Sequence, residues 1–595
     1  MMIEPKIGAT LLCSMIFWGS SLTYSVQAQT ESSLFLSYPP RNHRTSSSKL
    51  FFIGTANPRG DVFINGQRID RSPAGHFAPS FPLKMGANSF SVRYGDQEIK
   101  VNVTRVAATP EPPQGVNFAA NSLTPSRDIA RLPDELICFG AIAPANANVS
   151  VQLNRRSIAL SPQPQITQLP PNSAVLTAQN QPTAIPTVSQ YQGCTSASNS
   201  GNFGQPQFLL SLDGKNVTQQ GSGAVEILSP NNLEVIEVTA QAGVARTGPS
   251  TNYSRLTPLP QGTRAGVTGK EGEWLRLDYG AWIKQSETRT LVGATPPQAI
   301  IRSILSRQIP GATEITFPLT TPIPVSLAQG EKTFTLTLHN TNTQTDTIRL
   351  DDDPLIKRLD WQQVAPTQVE YTFVLKSESQ WGYDLRYQGT SLILTLKHPP
   401  QLGRDSSQPL RGISILLDPG HGGDEFGARG PNGLPEKVVN LTVSKLLQQE
   451  LLRLGATVYM TRETDVDVSL AQRMEMIHNL NPTLALSIHY NALPDSGDAI
   501  NTQGIGMFWY HTQAHDLSVF LQNYLVEKLN RPSYGVFWNN LALTRPHRAP
   551  SVLLELGFMI NPVEFEWITN AQEQKKLADA IAQAITTWLQ SAAKQ

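Results

Sequence analysis

Four residues in the last third of the chain have types and neighbours suited to hydrolysis. His421 lies in Asp418-Pro419-Gly420-His421-Gly422-Gly423. Glu436 follows Pro435. His489 lies in Ser487-Ile488-His489-Tyr490-Asn491, and Glu555 in Leu554-Glu555-Leu556-Gly557-Phe558. Two imidazoles and one carboxylate are a ligand set for catalytic zinc, which keeps its fourth position open. The remaining carboxylate, Glu555, is the candidate general base: it would take a proton from water and pass it to a leaving amine. Each residue also has an ordinary reading. A strand-end histidine usually serves as a hydrogen-bonding surface residue. A glutamate at a helix start usually complements the dipole. A carboxylate ending an apolar strand is less ordinary, because its burial is costly without a partner. Arg462, Arg473 and Asn491 are candidate substrate contacts. A structural ion pair is an equal reading for the arginines, and orientation of the His489 loop is the stronger one for Asn491.

The surrounding pattern predicts the elements that would hold these groups. Ile413 to Leu417, Thr457 to Thr461, Leu484 to Ile488, Ile505 to Tyr510 and Val552 to Leu556 read as short buried strands. Glu436 to Leu454 carries Val439, Val443, Leu446, Leu447 and Leu451 at helical spacing. Further helices are expected over 470–480, about 514–529 and 571–589. Alternation of this kind predicts an α/β domain over 412–592, with a mostly parallel sheet flanked by helices. In such folds, sites form beyond the carboxyl ends of the strands.

The run Asp-Pro-Gly-His-Gly-Gly, the glutamate fifteen residues on, Ser-Ile-His-x-Asn and Glu-Leu-Gly-Phe-x-x-Asn together resemble the zinc-dependent N-acetylmuramoyl-L-alanine amidases of bacterial cell-wall turnover. Thr461-Arg462-Glu463-Thr464-Asp465 fits the same resemblance, which covers about residues 412–590. It implies one zinc ion held by His421, Glu436 and His489, with Glu555 as catalytic acid/base. It also implies peptidoglycan as substrate, cleaved between the lactyl group of N-acetylmuramic acid and L-alanine. Several features depart from the pattern. His478 sits mid-helix and reads as structural. His511, His515 and His547 are spare, and Met559-Ile560 replaces smaller or more polar residues. Only 65 residues separate His489 from Glu555, too few for the site-plugging helix of some division amidases, so an unplugged site is expected. Two other readings compete: a wall-binding scaffold with an inactive amidase-like tail, and another zinc peptidase or deacetylase acting on the same polymer. A serine hydrolase lacks its Gly-x-Ser-x-Gly elbow.

Composition frames the rest. The 595 residues carry 47 basic and 47 acidic side chains. A general nucleic-acid binder is disfavoured, because phosphate neutralisation needs a basic excess. The balance hides two unlike parts. Residues 412–595 hold 18 acidic and 13 basic groups, a net of −5, which leaves +5 on the front; 35 of the 44 prolines also precede residue 412. Residues 1–28 read as a secretory signal peptide cut after Ala28, with no transmembrane segment in the mature chain. The protein is thus expected to be exported, to the periplasm or to the cell wall and beyond. There, Cys138 and Cys194 are free to form one disulfide or to remain unrelated thiols.

The front predicts all-β modules. Residues 35–106 resemble an immunoglobulin-like β-sandwich, and 134–230 a second such module with an irregular loop. Residues 107–133 read as a linker and 161–205 as linker plus loop. Val244-Ala245-Arg246-Thr247-Gly248-Pro249 with Trp274 and Trp282 makes 237–293 resemble a bacterial SH3 domain, with at least one tryptophan in its core. Residues 313–400 read as a β-rich targeting or spacer domain. Candidate partners of these modules are division or wall-associated proteins.

Overall fold

The computed structural model describes residues 33–107, 113, 115–170, 174–175, 181–187, 189–403 and 405–593. The expected signal peptide lies outside the described residues. Among them, no helix is long and apolar enough to cross a membrane.

Among the described residues the front is built of strands, apart from short 3-10 turns such as Gln285–Glu287. In the first body, the hairpin Gly86–Tyr94 and Gln97–Arg105 is the centre of a five-stranded sheet. Phe90, Val92, Val101 and Val103 alternate inward from it. They close on Leu50, Phe52, Val62 and Phe77.

The second body has a six-stranded sheet in which Ile137–Ile142 pairs with Gln190–Thr195. Cys138 stands opposite Cys194 in that register, and the two are disulfide-bonded. Both linker expectations therefore need correction. Residues 161–205 contain strands Gln165–Gln168, Thr183–Pro186, Gln190–Thr195 and Gly201–Gly204. Within 107–133, Phe118, Leu123 and Ile129 enter the core of this body.

The boundary near 230 is one of sequence only. Strands Ile129–Arg131, Gly201–Gly204 and Val225–Ile227 continue into Arg264–Glu271 and its neighbours, making one eight-stranded sheet across the second body and the small third one. Trp274 and Trp282 are both buried. The fourth body starts earlier than residue 313, because Ala299–Ile309 pairs with both Ala312–Pro318 and Thr341–Arg349.

In the rear domain, elements are numbered here from its own first strand. They are β1 (Ser414–Pro419), α1 (Glu436–Arg453), β2 (Thr457–Met460), α2 (Leu470–Leu480), β3 (Leu484–Asn491) and β4 (Ile505–Trp509). Then follow α3 (His515–Leu529), β5 (Ser533–Trp538), β6 (Ser551–Phe558), α4 (Pro562–Ile568) and α5 (Ala571–Ala592). The sheet order is β2-β1-β3-β6-β4-β5. All pairs are parallel except β6 with β4. Strand alternation sends Ile415 and Leu417 to one face, against Val439, Val443 and Leu447 of α1 and Ile581 and Ile585 of α5. Leu416 goes to the other face, with Ile477 of α2. Ser469 opens α2 with a capping box to Gln472.

The front bodies grip this domain at opposite ends of its sheet. The first body packs Phe51, Ile53 and Ala78 against Ala499, Phe558 and Ile560. Its His43 Nε2 lies 2.9 Å from Asp495 Oδ2, and the Tyr38 hydroxyl donates to the same carboxylate. The Ala74 N–H donates to Glu566 at 2.9 Å. These rear-domain segments follow β3 and β6. The fourth body holds the other end. The Tyr383 N–H donates to the His547 carbonyl at 3.0 Å. Lys397 Nζ donates to the carbonyls of Pro482 and Arg548 at 3.0 and 2.8 Å.

Candidate active site

Three parallel strands end side by side at one edge of the sheet. β1 runs into the turn carrying His421, β3 carries His489 near its end, and β6 carries Glu555 directly beside His489 in the register. Glu436 opens α1 and is buried. His421 Nε2 lies 3.2 Å from Glu436 Oε2, and His489 Nδ1 lies 3.1 Å from Glu436 Oε1. The two imidazole planes stand at 80°, with centroids 4.9 Å apart. Candidate ligand atoms of the three residues all fall within 4.8 Å of one another. The histidine side chains keep 27% and 16% of their surface exposed, so the cluster opens to solvent.

The chain is shaped for this approach. His421 adopts φ 61°, a left-handed conformation uncommon for a side-chain-bearing residue. A Cβ at Gly420 would strike the His489 ring, and one at Gly427 would strike Glu436 and His421. Glycine at these two places lets backbone pass where the ligating side chains converge.

Glu436 is held by more than the imidazoles. The Ala428 N–H donates to Oε2 at 2.8 Å, while the Tyr490 N–H and Asn440 Nδ2 donate to Oε1 at 3.0 Å each. Burial alone would raise this carboxyl. The hydrogen bonds and charges of His421 and His489 outweigh it and hold the group well below the usual carboxylate range. Glu555 goes the other way. Burial, then repulsion from Glu436, push its carboxyl well above the ordinary value. Its Oε2 is shut from solvent and has no hydrogen-bond partner. One carboxylate fixed as an anion beside one that retains its proton readily is a division of labour seen where acid–base chemistry is done.

Arg462 and Arg473 support the His421 turn from beneath. Arg462 donates to the carbonyls of Pro419, Gly420 and Lys437 at 2.9, 2.9 and 2.8 Å. Arg473 donates to those of Pro419 and His421 at 2.9 and 2.7 Å, and pairs with Asp418 at 2.5 Å. Both are buried, so of their two readings the geometry matches the structural one. Asp418 is the centre of this support: it also accepts from Thr461 and Ser487 at 2.6 and 2.5 Å. Asn491 is likewise buried. Its Oδ1 accepts from the Ala492 N–H at 2.8 Å, and its carbonyl accepts from Met559 at 3.3 Å, linking the ends of β3 and β6.

The spare histidines lie elsewhere. His511 Nε2 donates to the Arg545 carbonyl at 2.7 Å, His547 stacks on Tyr383, and His478 meets Gln241. His515 pairs with Asp516 at 3.2 Å. Between His489 and Glu555, the one full helix is α3, which packs in the core layer with α5. Sequence reasoning passed over Asn561 and Glu564. Asn561 caps α4 and donates to the carbonyls of Ile500 and Thr502 at 2.9 and 3.1 Å. Glu564 accepts from the N–H groups of Gly504 and Phe558 at 2.9 and 2.7 Å. Asn561 was already visible as the last residue of the Glu-Leu-Gly-Phe-x-x-Asn run. Glu564 gave no signal.

Comparison with known proteins falls on the same segment. Residues 415–587 match the family model described as N-acetylmuramoyl-L-alanine amidase. The match takes in nearly all of the rear domain. The probable cell wall amidase LytH of Staphylococcus epidermidis is 33% identical over 188 residues, covering 31% of this chain and 62% of that protein. LytH of Staphylococcus aureus is 35% identical over 179 residues, covering 30% and 58%. The chain thus spans about three-fifths of the length of these curated relatives. Among solved structures, the N-acetylmuramoyl-L-alanine amidase from Clostridium difficile 630 is 28% identical, covering 30% of this chain and 97% of that one, with a TM-score of 0.29. The amidase-family segment is the one in which His421, Glu436, His489 and Glu555 converge.

Proposed function

We propose that this protein hydrolyses the amide between N-acetylmuramic acid and the L-alanine of peptidoglycan stem peptides. The observation that carries the reading is the pairing, within an amidase-family domain, of a His-Glu-His cluster with a half-buried, readily protonated Glu555. Two nitrogens and a carboxylate oxygen at this spacing fit a divalent cation, and a nitrogen-rich set suits zinc. His421, Glu436 and His489 would hold it. Bound there, zinc would supply Lewis acidity towards water and the scissile carbonyl.

The chain's own residues do the rest. Glu555 takes a proton from the attacking water as its oxygen adds to the lactyl carbonyl carbon. It then delivers that proton to the alanine nitrogen as the carbon–nitrogen bond breaks. Its raised affinity for protons suits both halves of this exchange. Asn440 and the Tyr490 N–H keep the Glu436 carboxylate oriented, as outer partners of metal ligands do. Arg462, Arg473 and Asp418 fix the His421 turn.

The first and second front bodies fit an immunoglobulin-like reading and the small third body an SH3-like one. On this proposal they localise an exported enzyme on the wall, alone or through wall-associated proteins. The test uses the full chain, muropeptides and identification of products by mass. Free stem peptide and peptide-less glycan should form, and should vanish on chelation and in Glu555→Ala. Retained wall binding without product would favour the scaffold reading. Cleavage within the stem peptide would favour a peptidase.

A further inference from the structure

At the end of the rear sheet away from His421, the third, fourth and rear bodies meet around a deep cleft. It consists of two adjoining cavities of about 370 and 660 Å³ that share Val244, Arg255, Pro258 and Arg545. These volumes are of the size that holds a small ligand. The meeting is a built one. Leu327 donates its N–H to Thr257 Oγ1 at 2.9 Å, and Thr512 Oγ1 donates to the Gln329 carbonyl at 3.1 Å.

The cleft lining carries more cations than anions: Arg255, Arg386, Arg545 and Arg548 against Asp384 and Glu475. Arg255 and Arg545 have no carboxylate within ion-pair distance among the described residues, and the Arg255 guanidinium has no hydrogen-bond partner at all. Arg545 is pre-oriented by Asn540, whose Oδ1 accepts from Nε at 2.7 Å and whose carbonyl accepts from Nη2 at 3.3 Å. Behind them, buried Arg246 has an Nε with no partner. The carboxylate of Glu287 acts on Arg246 and Arg255 from beyond ion-pair distance and accepts from the Val244 N–H at 2.6 Å. Arg386 and Arg548, further along, are already paired with Glu314 and Asp384 at 2.7 and 2.8 Å. Burial and mutual repulsion push Arg545 down to about 10, a cost that an incoming anion would relieve. One wall is aromatic: Tyr510 and Trp538 lie 5.3 Å apart, and Trp538 is 59% exposed.

We propose that this cleft is a second binding site, taking the free carboxylate of a peptidoglycan stem peptide between Arg255 and Arg545, with the peptide body against Trp538 and Tyr510. The ligand class rests on the proposed function, which supplies carboxylate-bearing peptides at high local density. Two guanidinium groups bind carboxylates through paired, charge-assisted hydrogen bonds. An aromatic wall suits an apolar peptide body. A site at the far end of the sheet would hold an uncleaved neighbour while the catalytic end works.

The test is calorimetric titration of the full-length Glu555→Ala protein with a synthetic stem tripeptide lacking muramic acid. The same peptide with amidated carboxyls, and poly(glycerol phosphate), are run beside it. The free peptide should bind. Arg255→Gln with Arg545→Gln should weaken it roughly tenfold or more, and so should exposed Trp538→Ala, which guards against misfolding of the arginine variants. The amidated peptide should bind no better than those variants. Equal binding of the amidated peptide, or of the arginine variants, would overturn the proposal. Arginine-dependent binding of the phosphate polymer alone would do the same. Hydrolysis of a soluble muropeptide by Arg255→Gln/Arg545→Gln with Glu555 intact should match that of the unaltered protein. Absence of hydrolysis with arginine-dependent peptide binding would refute the proposed activity and leave the second site standing.

Discussion

At the residue scale, the site separates groups that react from groups that hold. Glu555→Ala should reduce turnover by about 10²- to 10⁴-fold, the usual contribution of a positioned acid/base. Zinc content, measured on the same preparation, should stay at the level of the unaltered protein. Loss of metal together with activity would mean that Glu555 is a ligand. Arg473→Ala is expected to act on folding, because it strands Asp418 without its cation in a buried setting. Breaking such a pair costs about 3–5 kcal/mol. Denaturant unfolding should show that loss, and Asp418→Asn combined with Arg473→Ala should cost less than the sum of the two changes. A raised KM with unchanged stability would restore the substrate-contact role.

The element scale shows what the sequence could and could not reveal. Apolar runs ending in His421, His489 and Glu555 were readable, because a strand buried on both faces leaves a nearly continuous hydrophobic trace. Strand β5, Ser-Tyr-Gly-Val-Phe-Trp, was not, since an edge strand with glycine and no fully buried residue leaves little pattern. Helix α4, with seven residues, is too short for periodicity. Gln190–Thr195 read as loop because Tyr191 alone is buried there; its place comes from pairing with Ile137–Ile142 and from Cys194. Whether Arg462 and Arg473 pointed inward was equally illegible, because a guanidinium finds its carbonyls only in three dimensions.

The same scale carries two predictions. Glu564 is pushed up to about 7 by burial, against the lowering effect of its two N–H donors. Its folded value exceeds the unfolded value near 4.5, so the folded state holds the proton longer. Stability from this group is therefore full below pH 4.5 and falls as pH rises to about 7, by roughly 3 kcal/mol. Glu564→Gln should flatten that slope in urea unfolding followed across pH 4.5–8; an unchanged slope would assign it elsewhere. Reduction of Cys138–Cys194, which spans 56 residues, should cost the second body about 4 kcal/mol on a chain-entropy estimate. The rear domain's transition should hardly move, which calorimetry with and without reductant can resolve.

At the scale of the whole molecule, the rear domain sits between a front body beside its candidate site and another at the opposite end of its sheet. Phe51→Ala should uncouple the first, because Phe51 is buried against Ala499, Phe558 and Ile560. Loss of such an aromatic contact is worth about 3 kcal/mol. The first body and the rear domain should then melt separately in calorimetry, where the unaltered chain melts them together. An unchanged profile would mean that the docking contributes nothing to cooperativity.

That docking joins residues 457 positions apart, Tyr38 to Asp495. The distance is thermodynamically mild, since each doubling of a closed loop adds only about 0.6 kcal/mol. In time it matters more. The ribosome makes the first body hundreds of residues before the segments it grips, so that body must wait, folded and with Phe51 uncovered, while the intervening chain is made. A chain interrupted in between leaves this apolar surface open. Arrival of the segments around Ala499 and Phe558 and concealment of Phe51 are therefore a single event.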